Sequence, residues 1–180
     1  MHNTRRICWG ALFIALGILL PITFHMVGMG KVFLPMHIPI LLAGFFCGPA
    51  IGAMVGFITP LLSAVMTGMP PFMPPMAQIM VFELAAYGLL TGLLFNRFRL
   101  GVYPSLLLAM LAGRAVHGLV GYLIMPVFGL EFSVLYPLTY GLLSGLPGII
   151  LQLAFVPGVI ILVERNAAVL LKGKEALAER

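Results

Sequence analysis

Residues 37–49 read His37-Ile-Pro-Ile-Leu-Leu-Ala-Gly-Phe-Phe-Cys-Gly-Pro49, and they lie inside a run of 51 residues, 32–82, that contains no Asp, Glu, Lys or Arg. A helix that spans a bilayer needs about 20 largely apolar residues. The run is therefore too long for one span and fits two. The break falls at Gly48-Pro49, because proline begins a helix well and continues one badly.

The rest of the chain has the same character. Of its 180 residues, 62% are hydrophobic and 8% are charged, against roughly 25% charged in an ordinary soluble domain. Mean hydropathy is +1.14. A small soluble domain leaves about a third of its surface wet, so lipid is the solvent for most of this one. Further uncharged stretches cover 7–24, 77–95 (apart from Glu83), 103–127 (apart from Arg114) and 145–163. The expectation is an all-α polytopic membrane protein, a single domain over 1–180 built as a bundle of six transmembrane helices. The segment Gly68-Met-Pro-Pro-Phe-Met-Pro-Pro-Met76 carries four prolines and is expected as a stiff, extended surface loop, serving either as a lid or as an anchor through Phe72 and its methionines.

Cations set the orientation. With a cytoplasmic N-terminus, six spans place Arg5, Arg6, Arg97, Arg99, Arg165, Lys172, Lys174 and Arg180 inside, Lys31 outside and Arg114 within a helix. The positive-inside tendency favours that arrangement, so both termini are expected in the cytoplasm, with 164–180 as a cytoplasmic tail. Placement at segment ends accounts for the basic excess without nucleic acid. The basic-then-apolar start is kept as the first helix, because Pro21, His25 and Lys31 follow it in place of a small-residue cleavage site. Cys8 and Cys47, with no CxxC spacing, indicate neither metal nor disulfide and are read as small buried residues.

In lipid, helices associate where small residues let backbones approach. Gly48, Gly52, Gly56 and Pro60 line one face of the third helix, and Ala85, Gly88 and Gly92 one face of the fourth; both stripes read as internal packing. Ala11 and Ala15 stand one turn apart on the first helix, a flat patch for internal packing or for a partner helix.

Ionisable groups inside a bilayer cost at least about 2.5–3.5 kcal/mol each. Glu83 and Arg114 are the two charges within predicted spans, joined by His117, Gln152 and, one turn from Glu83, Tyr87. Arg114 and His117 share a helix face at i, i+3. His37 opens the second helix at the outer mouth, where a solvated position and one facing a cavity are both open. Two readings follow: a structural Glu83–Arg114 pair, or an outward-opening ligand site formed by His37, Glu83, Tyr87, Arg114, His117 and Gln152. In the second, the Arg114 fork suits a carboxylate, and pantothenate is a first guess. Neutral pyrimidine, pyridoxine-like and folate-like ligands stay open.

No phosphate loop with its lysine, no G-x-S-x-G elbow and no H-E-x-x-H occurs, so neither ATP hydrolysis, nor a catalytic set, nor a metal or other cofactor is expected of this chain.

The basic N-terminus before Ala11-Leu-Phe-Ile-Ala15, then His37-Ile-Pro to Gly48-Pro49, then Gly56-Phe-Ile-Thr-Pro60-Leu-Leu-Ser, resembles the S components of energy-coupling factor (ECF) vitamin transporters over about residues 5–165. That resemblance implies a bacterial cell-membrane subunit that binds a scarce vitamin outside and docks on an energising module. The module comprises a transmembrane coupling subunit and two ATPase subunits. It also implies a body that topples in the membrane to deliver its ligand. Ala11 and Ala15 match the docking motif of that family. The alternatives are a stand-alone secondary transporter or channel, for which no internal repeat is seen, and an assembly protein in which Glu83 and Arg114 only pair.

Overall fold

A computed structural model describes residues 2–26, 28, 33–131, 133, 145–163 and 165–166. It contains six helices and, among the described residues, no strand. They are α1 His2–Met26, α2 His37–Cys47, α3 Pro49–Thr67, α4 Met76–Gly92, α5 Val102–Ile124 and α6 Gly145–Val163. Lys31 and most of the tail 164–180 lie outside the described residues.

Five helices are long and apolar enough to cross a membrane; α2 is the exception. Its 11 residues rise only about 16 Å, roughly half a bilayer core of about 30 Å. Both of its ends have local causes. Leu34 just upstream takes a left-handed φ of 49°, and Gly48 at the far end takes φ 89°, a conformation only glycine adopts freely. Pro49 then opens α3. Ten of the eleven α2 residues are buried, and Ile40, Leu41 and Ala43 have no exposure at all. A helix that is apolar all round belongs in an interior, and α2 forms the centre of the bundle.

The glycine stripes set the register around it. A methyl at Gly52 would run into the Gly88 carbonyl, one at Gly56 into that of Leu84, and one at Gly92 into Pro49. The α3 and α4 backbones therefore touch along an antiparallel seam. Gly44 of α2 faces Gly88 and Thr91 on α4, and the Thr91 hydroxyl donates to the Tyr87 carbonyl at 2.8 Å. On α1, Gly10 lies over Ile51 and Gly17 over Thr59, so α1 runs parallel to α3.

Arg5 and Arg6 consequently share one end of the bundle with Pro49. So do Arg97 and Arg99, because α4 widens at that end into a π turn over Leu93–Arg97. Asn96 of the turn donates its amide to the Gly44 and Phe45 carbonyls at 3.3 Å each, giving a partner to Phe45, whose i+4 residue Pro49 has no N–H to offer.

Two expectations change. The proline-rich segment folds as a compact turn: Ser63 Oγ donates to the Met69 carbonyl at 2.7 Å, Ala77 N to that of Pro71 at 3.0 Å, and Gln78 Nε2 to that of Phe72 at 3.3 Å. Nearby donors meet its carbonyls, so its backbone has no need to extend. Cys8 is exposed on α1, while Cys47 is buried as expected.

Gly52→Leu or Gly88→Leu should force the α3–α4 seam apart, a core overpacking that costs about 1–3 kcal/mol or more. Gly158→Ala, where a methyl meets nothing within 4 Å, should leave the melting temperature in detergent near wild type.

Candidate functional site

Glu83 stands in the second turn of α4 with 1% exposure. A carboxylate so deep in an apolar bundle needs partners for its lone pairs; three side chains supply them and a fourth, from a third helix, stands close by. Arg114 Nη1 of α5 lies 3.1 Å from Oε1. The Tyr87 hydroxyl donates to the same oxygen at 3.1 Å. His117 Nδ1 is 2.6 Å from Oε2. His37 Nε2, at the first residue of α2, stands 3.7 Å from Oε1, an ion-pair distance if charged but long for a hydrogen bond.

The local sequence explains this convergence. Tyr87 follows Glu83 by four residues, so both point the same way from α4; Arg114 and His117 do likewise on α5. Gly113 makes the junction possible, because a methyl there would strike the Tyr87 ring. The ring consequently comes close to the α5 backbone, buried at 1% and tilted at 58° to the His37 ring, 5.4 Å away. The short α2 matters too. Its first turn, where the helix dipole favours negative charge, sits at the depth of the carboxylate, and not at the membrane surface.

Three polar atoms near the centre are left over. Both ring nitrogens of His37 and the amide nitrogen of Gln152 are buried without a hydrogen-bond partner among the described residues. Arg114 retains its second amino group. Nη2 lies 3.8 Å from where a methyl on Gly145 would stand, at the start of α6.

The structure thus brings together His37, Glu83, Tyr87, Arg114 and His117. Gln152 is 1% exposed on α6 but is not among the side chains that bond Glu83. Ala11 and Ala15 are exposed on α1, on the side opposite Gly10, Phe13 and Gly17, which pack inward. A separate hollow of about 350 Å³ lies between the far ends of α1 and α3, against Pro21, His25, Thr67 and Met69.

A family profile described as ECF transporter, substrate-specific component, matches residues 5–163. The chain belongs to this family. No curated protein and no solved structure shows a significant match to it. The substrate-specific component is a multi-pass membrane subunit of a transporter, and the buried polar cluster lies in the middle of the matched region.

Two residues of the cluster escape a reading by polarity. Gly113 carries no polar signal, although its place directly before Arg114 on a helix turning inward is a usable hint. Gly145 is beside Arg114 only because α6 begins there.

Glu83→Ala should cost about 3–5 kcal/mol, because it leaves the Arg114 charge buried and unpaired. Joining it with Arg114→Leu should recover a large part of that loss in thermal unfolding of the detergent-solubilised chain. Additive losses would instead mean that the two side chains act independently.

Proposed function

We propose that this substrate-specific component captures a water-soluble vitamin or related micronutrient at the outer side of the bacterial plasma membrane. Its termini lie in the cytoplasm, and it delivers the ligand to a separate energising module for ATP-driven uptake. His37, Tyr87, Arg114, His117 and Gln152 face the ligand, and Glu83 holds Tyr87, Arg114 and His117 in place. The observation that carries this reading is the unpartnered, buried state of the His37 nitrogens and the Gln152 amide. Polar atoms inside a protein are nearly always paired, and in a membrane interior an unpaired one marks a functional position. A bound polar molecule supplies the missing partners.

The cations Arg5, Arg6, Arg97 and Arg99, gathered at one end of the bundle, support an inward-facing location for that end. Ala11 and Ala15, small and exposed on α1, support docking there by a helix of the coupling subunit. The two ATPase subunits then act through that partner. A secondary transporter is the weaker reading, because a coupling-ion carboxylate has to exchange its partners, whereas Glu83 is bonded by three side chains of the protein itself.

Denaturing the purified chain and examining the released small molecules by mass spectrometry tests capture directly. His37→Phe and Gln152→Leu should each weaken binding of the released compound about tenfold or more, about 1.4 kcal/mol, without lowering thermal stability. Ala11→Trp and Ala15→Trp should abolish uptake in cells while ligand affinity stays near wild type. Affinity falling in step with uptake would assign that face to the fold.

A further inference from the structure

Resting on the capture reading, we infer that the site takes its ligand as an electroneutral molecule, recognised by hydrogen bonds and not by charge. An isolated intramembrane arginine selects an anion such as a pantothenate-like carboxylate, but Arg114 is not isolated. Its Nη1 is 3.1 Å from the buried Glu83 carboxylate, so each charge already has its counter-charge.

The sequence extends this balance to the whole interior. Between residues 32 and 96 the only Asp, Glu, Lys or Arg is Glu83; between 100 and 130 it is Arg114; between 132 and 163 there is none. One acid and one base are therefore all the fixed charge that the described cluster is able to present. Adding an anion to that pair would bury a net negative charge in a medium that tolerates none cheaply.

The titratable groups that face the cluster from each element are His37 on α2, Glu83 and Tyr87 on α4, and Arg114 and His117 on α5. Either histidine, if protonated, would be the one way to offset a ligand anion. His117 Nδ1 lies 2.6 Å from Oε2, a contact that a ring N–H makes without adding a charge. His37 has no hydrogen-bond partner for either nitrogen among the described residues, a setting that suits a neutral ring. As a neutral imidazole it offers one donor and one acceptor. Gln152 Nε2 adds donors. The complementary ligand presents a donor and acceptor side by side plus a further acceptor: an amide, a lactam or a ring with adjacent carbonyl and N–H groups.

Matched pairs that differ only in charge separate this inference from the capture reading. The full chain in lipid nanodiscs is titrated calorimetrically with nicotinate and nicotinamide, pantothenate and pantothenol, and biotin and biotin amide. The neutral member of a pair should bind at least about tenfold more tightly, with the same preference from about pH 6 to about pH 8, across the ordinary histidine range. In Glu83→Gln, which leaves Arg114 uncompensated, the preference should reverse toward the acid. An acid bound more tightly than its neutral partner by the unaltered chain overturns the inference and leaves capture standing. So does an affinity for acids that falls as pH rises, which would identify a protonated histidine as a second cation. If neither member of any pair binds and no small molecule is released from the folded chain, capture fails and the inference falls with it.

Discussion

One carboxylate organises the centre of this molecule. Glu83 is buried where water is excluded, and an unpaired charge there would outweigh a large share of a protein's net stability. Its four surrounding groups come from α2, α4 and α5, so satisfying it fixes the rotation of three helices about their axes. Apolar packing alone specifies such rotations poorly in lipid, because tails and leucine side chains are equally good neighbours. A polar hub has directions, and here those directions converge on one pair of oxygens.

The hub depends in turn on close backbone approach. Gly52 against Gly88 and Gly56 against Leu84 draw α3 onto α4. Gly44 of α2 meets the same Gly88 carbonyl, so three backbones converge there. Gly113 then yields the space into which Tyr87 lies down. Without that glycine the phenol would be pushed off α5, and its hydroxyl would leave the carboxylate. Small residues thus place the polar ones, although they make no hydrogen bond with their own side chains.

Much of this was legible in the sequence, and the reason is periodicity. Apolar runs gave the helices within a few residues, the i, i+4 stripes gave the α3–α4 seam, and the pairs Glu83–Tyr87 and Arg114–His117 follow from helical spacing alone. His37 was open between a wet and an inward position, since its burial depends on α2 starting halfway down the bundle, which is a tertiary fact. The shortness of α2 has a cue in Pro35 and Pro39 close before Gly48-Pro49, but hydropathy averages over it. Gln152 shared the expected depth and is buried, yet depth does not fix which way a side chain turns. The proline-rich turn was misjudged because the donors to its carbonyls come from neighbours such as Ser63, which a local reading of prolines does not weigh.

The half-length of α2 has one more implication. Across most of the bundle, opening a path would mean breaking helical hydrogen bonds in series. Directly above α2 lie residues 33–36, and among the described residues the His37 N–H donates to the Leu34 carbonyl at 3.1 Å. A non-spanning stretch therefore lies over the most polar point of the molecule. Rearranging there unravels no spanning helix, so traffic to the centre and integrity of the membrane-crossing frame are mechanically separate.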